Sequence, residues 1–339
     1  MRRLNNMSMQ SNLSDIVLTK KNITRPGFAN LAFQEVKRFA EGRPIFDRFN
    51  NIVDDLVENN LSNPESEDIL ITKLKEYIST SKPFSLIRLG DGEGNVLFWH
   101  YNSLNYPYLA SYCMFHILDM MFGDNAPSAD QWDTFSEYLV KAILNADFIG
   151  LPTRIQHDQQ FQNIQTLSKP ELKLRGATGV VGVRSSLTHL SAYALSQKNL
   201  CQWHIHKQIA SALPDLLRYA DKISVITCYP ELLPTIEKAF SINPGKTVLI
   251  PPQALNISST PEHTHYPTRF EEIINSDLIN NVDNGELFLV SAGLLGKYYC
   301  SIIKDQGGMA IDIGSLADVW LGLSVRNYHK SSFIAANKI

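Results

Sequence analysis

Long hydrophobic runs are missing from this 339-residue sequence, which contains no stretch of about 18 consecutive apolar residues. A membrane-spanning helix is therefore not expected. The first residues, MRRLNNMSMQSNLSDIV, include two arginines but no apolar segment of the kind that marks a secretory signal. The sequence therefore predicts neither a transmembrane anchor nor a signal peptide.

Positive charge is not in excess either. The chain has 31 Lys and Arg against 34 Asp and Glu, which gives a formal net charge of −3. Domains that bind nucleic acid usually carry a strongly basic face. Nucleic acid is therefore not an expected partner.

Cysteine is scarce and widely spaced. The four cysteines are Cys113, Cys201, Cys228 and Cys300, and none belongs to a Cys-x-x-Cys pair. This spacing favours buried, reduced thiols over a disulfide framework, and we expect a cytoplasmic protein. The sequence also lacks a Walker loop, a Gly-x-Ser-x-Gly elbow and a Cys/His signature for covalent catalysis.

The stretch FSLIRLGDGEGNVLFW, residues 84–99, is the most informative part of the chain. A short apolar run predicts a buried strand, and two carboxylates, Asp91 and Glu93, follow it among three glycines. We interpret residues 90–94 as a loop at the carboxyl end of this strand, where open α/β sheets bind ligands. Asp91 and Glu93 are predicted to hold a divalent cation, with Arg88 beside phosphate or one of the carboxylates. The alternative is a polar turn in which Asp91 caps the next helix.

The C-terminal third predicts the fold class. Strands are expected at residues 223–228, 247–250, 286–290 and 309–313, with helices between them. Strands that alternate with helices predict a parallel sheet with right-handed crossovers, so the fold class is α/β. Helices are also expected between Phe28 and about Thr80.

The middle of the chain is harder to interpret. We predict a loop over residues 153–184, which contains glycines at 176, 179 and 182, with a short strand at 180–183. Helices are predicted over 185–195 and 204–219, the second kinked or split at Pro214.

A second ligand-binding turn is predicted at Ser291-Ala292-Gly293, between a strand and a helix. Free backbone N–H groups and the helix dipole favour phosphate there, although small residues also permit close packing of helix on sheet. Lys297, one turn later, could add a positive charge to this phosphate site, although the pattern favours a solvated surface lysine. Asp312 either faces the same crevice as Asp91 or caps the helix that begins near Ser315.

Two histidine pairs have a spacing that invites a zinc interpretation. His204 and His206 are expected to begin a helix, where residues i and i+2 point apart. His263 and His265 lie in a polar segment and are expected to be solvated. We therefore do not predict a zinc site at either pair.

The motif over Ser85–Glu93, together with Asp312–Gly314, resembles the GT-D-type bacterial glycosyltransferases, a family long catalogued as a domain of unknown function. The resemblance spans about residues 65–322. It implies a Rossmann-like, mostly parallel sheet flanked by helices, in which an Asp-x-Glu motif engages a divalent metal and a nucleotide-sugar diphosphate. The chain departs from the family at Ser315, where a histidine is frequent, and at Ser291–Gly293, where some members have a Gly-Pro-Thr-like turn.

The resemblance assigns roles to residues. Asp91 and Glu93 would bind Mn²⁺ or Mg²⁺. Apart from the resemblance, Asp312 is our candidate for the general base that an inverting reaction would need, with Asp318 as the second candidate. The nucleotide sugar would lie against five residues: Arg88, Gly90, Gly92, Ser291 and Gly293. The implied domains are an N-terminal helical extension (1–64), a catalytic domain (65–325) and a C-terminal tail (326–339).

The expected function is the metal-dependent transfer of a sugar from a UDP-linked donor to a glycan, glycolipid or glycoprotein acceptor in polysaccharide or glycoconjugate biosynthesis. A lipid-linked acceptor would place the protein at the inner membrane surface, and a homo-oligomer is compatible with this function. Two alternatives remain open, namely a metal-dependent hydrolase of nucleotide sugars or phosphoesters, and a non-catalytic subunit that binds nucleotide sugars.

Overall fold

A parallel β-sheet forms the centre of the computed structural model, which describes residues 20–41, 55–61, 66–166, 174–190, 192–252, 265–324 and 329–339. The described strands pair in the order β3-β2-β1-β7-β6-β4-β5, and every pairing is parallel. Their bounds are β1 Phe84–Arg88, β2 Phe148–Leu151, β3 Asn199–Gln202, β4 Lys222–Thr227, β5 Pro244–Leu249, β6 Glu286–Val290 and β7 Met309–Asp312. The predicted α/β class with a mostly parallel sheet is confirmed.

Helices cover both faces of this sheet. They are α1 Lys20–Ile23, α2 Pro26–Glu41, α3 55–61, α4 Ser66–Ser79, α5 Asp91–Asn102, α6 Pro107–Phe122, α7 Trp132–Asn145, α8 Arg154–Thr166 and α9 Leu174–Leu187. They continue with α10 Ala192–Ser196, α11 Ile205–Gln208, α12 Leu213–Leu217, α13 Leu232–Phe240, α14 Phe270–Ile274, α15 Asp277–Asn280, α16 Gly293–Asp305, α17 Leu316–Trp320 and α18 Ser331–Asn337. No described helix is long and apolar enough to cross a membrane.

The central strands are apolar on both faces because both faces are covered. In β1, Leu86 belongs to the hydrophobic cluster on one face and Ile87 to the cluster on the other, as the two-residue period of a strand requires. The larger cluster also contains Phe39 of α2, whose ring packs edge-on against Phe98 of α5 at a centroid distance of 5.3 Å. The N-terminal helix α2 therefore packs into the same core as α5.

The sheet order places two distant parts of the sequence side by side. The chain runs from β1 outward to β2 and β3, crosses to β4 and β5, and returns inward through β6 and β7. β7 then pairs with β1, with Leu86 opposite Ile311. The carboxyl ends of β1 and β7 therefore lie together where the strand order changes direction, the usual position of a ligand crevice in such sheets.

The loop predicted over residues 153–184 is wrong. Helices α8 and α9 occupy most of it, and the predicted strand at 180–183 lies inside α9. The three glycines of this segment lie on α9, and two of them, Gly179 and Gly182, are there for a packing reason. A Cβ on Gly179 would overlap the carbonyl oxygen of Asp91, and one on Gly182 would overlap that of Gly94. Only glycine lets α9 approach α5 this closely.

Two neighbouring predictions also need correction. The helix predicted over 185–195 is divided between the end of α9 and α10, and the short strand β3 was missed. The helix predicted over 204–219, with a kink or split at Pro214, is indeed split, into the short helices α11 and α12, and Pro214 lies in the first turn of α12. Proline suits a first helical turn because its missing N–H has no intrahelical partner there.

Candidate active site

The Asp-x-Glu motif lies in the first turn of α5 rather than in a loop. β1 ends at Arg88, and α5 begins at Asp91, so the expectation of a loop over 90–94 is wrong. The backbone N–H of Gly90 donates to Glu93 Oε2 at 2.9 Å, a reach-back contact that closes the start of the helix. Asp91 is half-buried at the helix terminus, where the dipole favours a negative charge.

Lys297 is the main surprise of the site. The sequence predicts a solvated surface lysine, but the side chain is only 3% exposed. Its Nζ lies 2.6 Å from Glu93 Oε1 and 3.0 Å from Asp312 Oδ2, and it donates to the carbonyl of Gly293 at 3.0 Å. Three oxygens thus surround the ammonium, two of them from carboxylates. Burial lowers the pKa of Lys297, but Asp312 and Glu93 outweigh this and raise it, so the group stays charged.

Asp312 faces the same crevice as the motif. Its Oδ1 accepts from the backbone N–H of Gly314 at 3.0 Å, and Arg88 Nε lies 3.5 Å from its Oδ2. Burial raises the pKa of this carboxyl, but Lys297 and Arg88 outweigh burial and hold the pKa below its ordinary value. Of the two alternatives predicted for Asp312, the structure favours the crevice, because its carboxylate binds Lys297 and Arg88.

The turn at Ser291–Gly293 forms the opposite wall. Ser291 Oγ donates to the carbonyl of Gly314 at 2.8 Å, and Gly293 has a φ of +58°, which glycine adopts readily. A Cβ on Gly92 would lie 3.2 Å from Leu294. The N-termini of α5 and α16 therefore approach one another closely.

These elements enclose a cleft of about 400 Å³, within the usual size of small-ligand sites. All eight predicted site residues line it, namely Arg88, Gly90, Asp91, Gly92, Glu93, Ser291, Gly293 and Asp312. The charged residues among its described lining are four carboxylates and two cations: Asp91, Glu93, Asp312, Asp318, Arg88 and Lys297. Carboxylates therefore outnumber cations by two.

Histidines in the lining add no charge at neutral pH. Burial lowers the pKa of His204 to about 4 and that of His265 to about 3. His265 is buried and hydrogen-bonds Tyr299 through Nε2 at 2.8 Å, so the expectation of a solvated residue is wrong. His263 lies outside the described residues.

Several cleft residues were not assigned a role from the sequence. Trp203 and His206 follow β3, and His206 Nδ1 lies 2.6 Å from Arg88 Nη1. On the other side, the hydroxyl of Tyr229 donates to Asp318 Oδ1 at 2.7 Å. The His204-x-His206 pair was the available signal for the first group, and no local pattern indicated Tyr229.

The carboxylates fit a divalent cation only in part. Within the described ranges, no cluster of three or more His, Cys, Asp or Glu side chains could hold a metal ion. Both oxygens of Glu93 already have partners, Lys297 Nζ and Gly90 N. Mg²⁺ commonly uses one or two carboxylates together with substrate phosphates. Of these two carboxylates, Asp91 could supply an oxygen to a cation that binds with a phosphate ligand, whereas Glu93 could do so only by giving up one of its present partners.

No protein-family model and no curated protein matches the sequence. Two solved structures are similar in fold, each at 16% identity, covering 79% of this chain and 88% of the other. One, with a TM-score of 0.41, is a selenomethionine-substituted structure of domain of unknown function 1792. The other, with a TM-score of 0.39, is described as showing that this highly conserved domain has a distinct glycosyltransferase fold.

Proposed function

We propose that the protein is a glycosyltransferase that moves a sugar from a nucleotide sugar, UDP-linked, to a glycan, glycolipid or glycoprotein acceptor. The observation that carries this proposal is the cleft at the carboxyl ends of β1 and β7, where the Asp-x-Glu motif meets the N-terminus of α16. The position is that of nucleotide sites in open α/β sheets. The motif's resemblance to the GT-D-type family supplies the sugar chemistry.

The turn at Ser291–Gly293 would hold the diphosphate. Backbone N–H groups at the start of a 13-residue helix form a ready site for an anion. The two cations of the lining, Arg88 and Lys297, are already paired with Asp312. The diphosphate would therefore depend on the helix terminus and on an added cation.

The charge of the lining supports a metal requirement, with Mn²⁺ or Mg²⁺ as the ion. The described lining has two more carboxylates than cations. It would repel an anionic diphosphate unless a cation lay between them. Asp91 and Glu93 would hold that cation. When bound, it would neutralise charge that develops on the leaving diphosphate.

A general base, if the reaction inverts the sugar carbon, would be Asp318 rather than Asp312. Asp312 is 1% exposed, and its carboxylate binds Lys297, Arg88 and the N–H of Gly314. Asp318 lines the cleft and accepts from Tyr229. Two cations beside a carboxylate make it a weaker base, which disfavours Asp312 in this role.

The test is a thermal-shift screen of nucleotide sugars with and without Mn²⁺, followed by transfer assays. Ligands that bind the native state raise the melting temperature by mass action. Asp91→Asn should abolish the Mn²⁺-dependent shift and lower kcat/KM by about 100-fold or more, because a bound cation contributes several kcal/mol of charge stabilisation. Asp68→Asn, an exposed carboxylate on α4, is the matched control and should change neither.

The outcomes separate the competing functions. Hydrolysis of the nucleotide sugar at an undiminished rate after acceptor is added would favour the hydrolase. Tight UDP binding without turnover over a broad acceptor panel would favour a non-catalytic binding subunit. Absence of any nucleotide-sugar binding would overturn the proposal.

A further inference from the structure

Three residues after β3 form one wall of the cleft. Trp203, His204 and His206 all line it, and Trp203 Cε3 lies 3.9 Å from the place that a Cβ on Gly90 would take. This wall therefore borders the Asp-x-Glu motif directly. Neither the metal nor the diphosphate discussed above accounts for it.

The hydrogen bond between Arg88 and His206 fixes which ring nitrogen carries the proton. A guanidinium has only donors, so His206 Nδ1, 2.6 Å from Arg88 Nη1, accepts. Burial, reinforced by the nearby charge of Arg88, lowers the pKa of His206 far below neutral pH, so the ring is uncharged. A neutral imidazole with an accepting Nδ1 carries its proton on Nε2, which makes Nε2–H a donor.

Two N–H donors of this wall have no acceptor within the described part of the chain. They are Nε2 of His206, a residue 1% exposed, and Nε1 of Trp203. The comparison with other tryptophans is informative. Nε1 of Trp99 donates to Asp133 and Nε1 of Trp132 donates to the carbonyl of Pro127, both at 2.9 Å. Buried donors normally have partners, and an unmade bond costs free energy, so the pair at Trp203 and His206 needs an explanation.

We infer that Trp203 and His206 form a subsite for a neutral, hydroxyl-bearing sugar ring, whose oxygens accept from these two N–H groups. The inference rests on the proposed function and names the sugar side of the same cleft. Trp203 is only half-buried, so its ring can adjust to a ligand without disturbing the core. An indole presents both an apolar face and an N–H, which suits the CH groups and hydroxyls of a sugar.

The charge of the cleft lining favours a neutral sugar over a free anion as the ligand of this subsite. The described lining has more carboxylates than cations, and the guanidinium of Arg88 is engaged by Asp312 and His206. An uncharged wall therefore offers hydrogen bonds without attracting phosphate. The ring could come from the donor or from the acceptor, which share this chemistry.

The experiment compares Trp203→Phe with the wild-type protein, using methyl glycosides, UDP, UDP-sugars and inorganic phosphate as probes. Saturation-transfer NMR measures saccharide contact, and titration calorimetry measures affinity. Trp203→Phe keeps an aromatic ring but removes the N–H, so it should weaken saccharide binding by about tenfold, the effect of losing one hydrogen bond. UDP affinity should not change. The melting temperature of the free protein should stay the same or rise, because an unsatisfied donor is removed.

Trp132→Phe is the matched control. It breaks a satisfied hydrogen bond to Pro127, so it should lower the melting temperature and leave saccharide affinity unchanged. Binding of methyl glycosides in the presence of UDP identifies the ring as the acceptor's. Weakening seen only for UDP-sugars identifies it as the donor's.

The result that overturns the inference is saccharide affinity equal in Trp203→Phe and wild type, or competition by inorganic phosphate for the same site. The proposed function can fail separately. Glycoside binding that depends on Trp203 without UDP binding would remove the glycosyltransferase proposal and keep the subsite. UDP binding without any saccharide or UDP-sugar contact at Trp203 would remove the subsite and keep the glycosyltransferase proposal.

Discussion

At the scale of single residues, the ammonium of Lys297 joins α16 and β7 to the start of α5, which is distant in sequence. It lies within 3.0 Å of Glu93 on α5, Asp312 on β7 and the Gly293 carbonyl on its own helix. Arg88 adds a second cation beside Asp312. The network is balanced as two carboxylates and two cations, and this balance makes burial of all four groups tolerable.

Removing Lys297 should be strongly destabilising. Lys297→Met leaves Glu93 and Asp312 buried with only Arg88 as a counter-charge, and breaking a buried pair typically costs about 3–5 kcal/mol. Urea denaturation measures the change in the free energy of unfolding. Adding Glu93→Gln to Lys297→Met should recover part of the loss, because one uncompensated charge is then removed.

Lys304 on the same helix provides the control. It pairs with Asp147 at 2.8 Å but is 22% exposed, so Lys304→Met should cost only about 0–1 kcal/mol. If Lys297→Met and Lys304→Met lowered the free energy of unfolding equally, the buried network would not be the source of the larger stabilisation.

At the scale of elements, the crossing of α5 and α9 positions the motif. Gly179 of α9 lies against the backbone of Asp91, and Gly94 of α5 lies against Gly179. Any side chain at these positions would push the two helices apart. Because Asp91 is in the first turn of α5, displacement of this helix would move its carboxylate in the cleft.

Gly179→Ala should therefore reduce both stability and activity. Overpacking costs about 1–3 kcal/mol, and misplacement of catalytic groups by about 1 Å can cost on the order of 100-fold in rate. Thermal denaturation and kcat/KM provide the two measurements. Gly176→Ala is the matched control on the same helix, since nothing lies within 4 Å of its added Cβ. Gly176→Ala should stabilise the protein by up to about 1 kcal/mol through helix propensity. If it lowered stability and activity as Gly179→Ala does, the close contact of α5 and α9 would not be the cause.

The same elements show why part of the fold could be predicted. β1, β6 and β7 are mainly apolar, as a parallel sheet covered on both faces requires, and β6 and β7 were predicted nearly to their ends. α9 was missed because glycine lowers helix propensity, so its glycine spacing indicated a loop. Glycine is needed there because α9 packs closely against α5, and the sequence of α9 alone does not reveal this contact. β3 was missed because it has only four residues and ends in Asn199 and Gln202.

At the scale of the whole molecule, the strand order assembles the site. Alternating strands and helices predicted a parallel sheet, but not that β7 would pair with β1. That pairing brings Arg88 to Asp312 and, through α16, Lys297 to Glu93. Two of the four carboxylates of the cleft, Asp91 and Glu93, were therefore predictable from one local motif. The burial of Lys297 depends on contacts between residues about 200 positions apart, which no local pattern encodes.

Helix α2 is attached to this molecule through a buried carboxylate. Glu35 accepts from the backbone N–H of Leu109, in the first turn of α6, at 2.7 Å. Burial raises the pKa of Glu35 from 4.5 to about 7, although the Leu109 N–H and Arg38 oppose the shift. A pKa that is higher in the folded state means that the folded protein binds the proton more tightly than the unfolded chain.

The contribution of Glu35 to stability should therefore be complete below pH 4.5 and disappear as the pH rises through about 7. Glu35→Gln resembles the protonated form and does not titrate. The free energy of unfolding of the wild type, measured relative to Glu35→Gln by urea denaturation, should fall between these pH values by up to roughly 3 kcal/mol. Other carboxyls, such as Asp312, have lowered pKa values and act in the opposite direction in acid, but they are common to both proteins and cancel in the difference. Parallel stability curves for the two proteins would show that Glu35 does not titrate in this range, and docking of α2 would then be independent of pH.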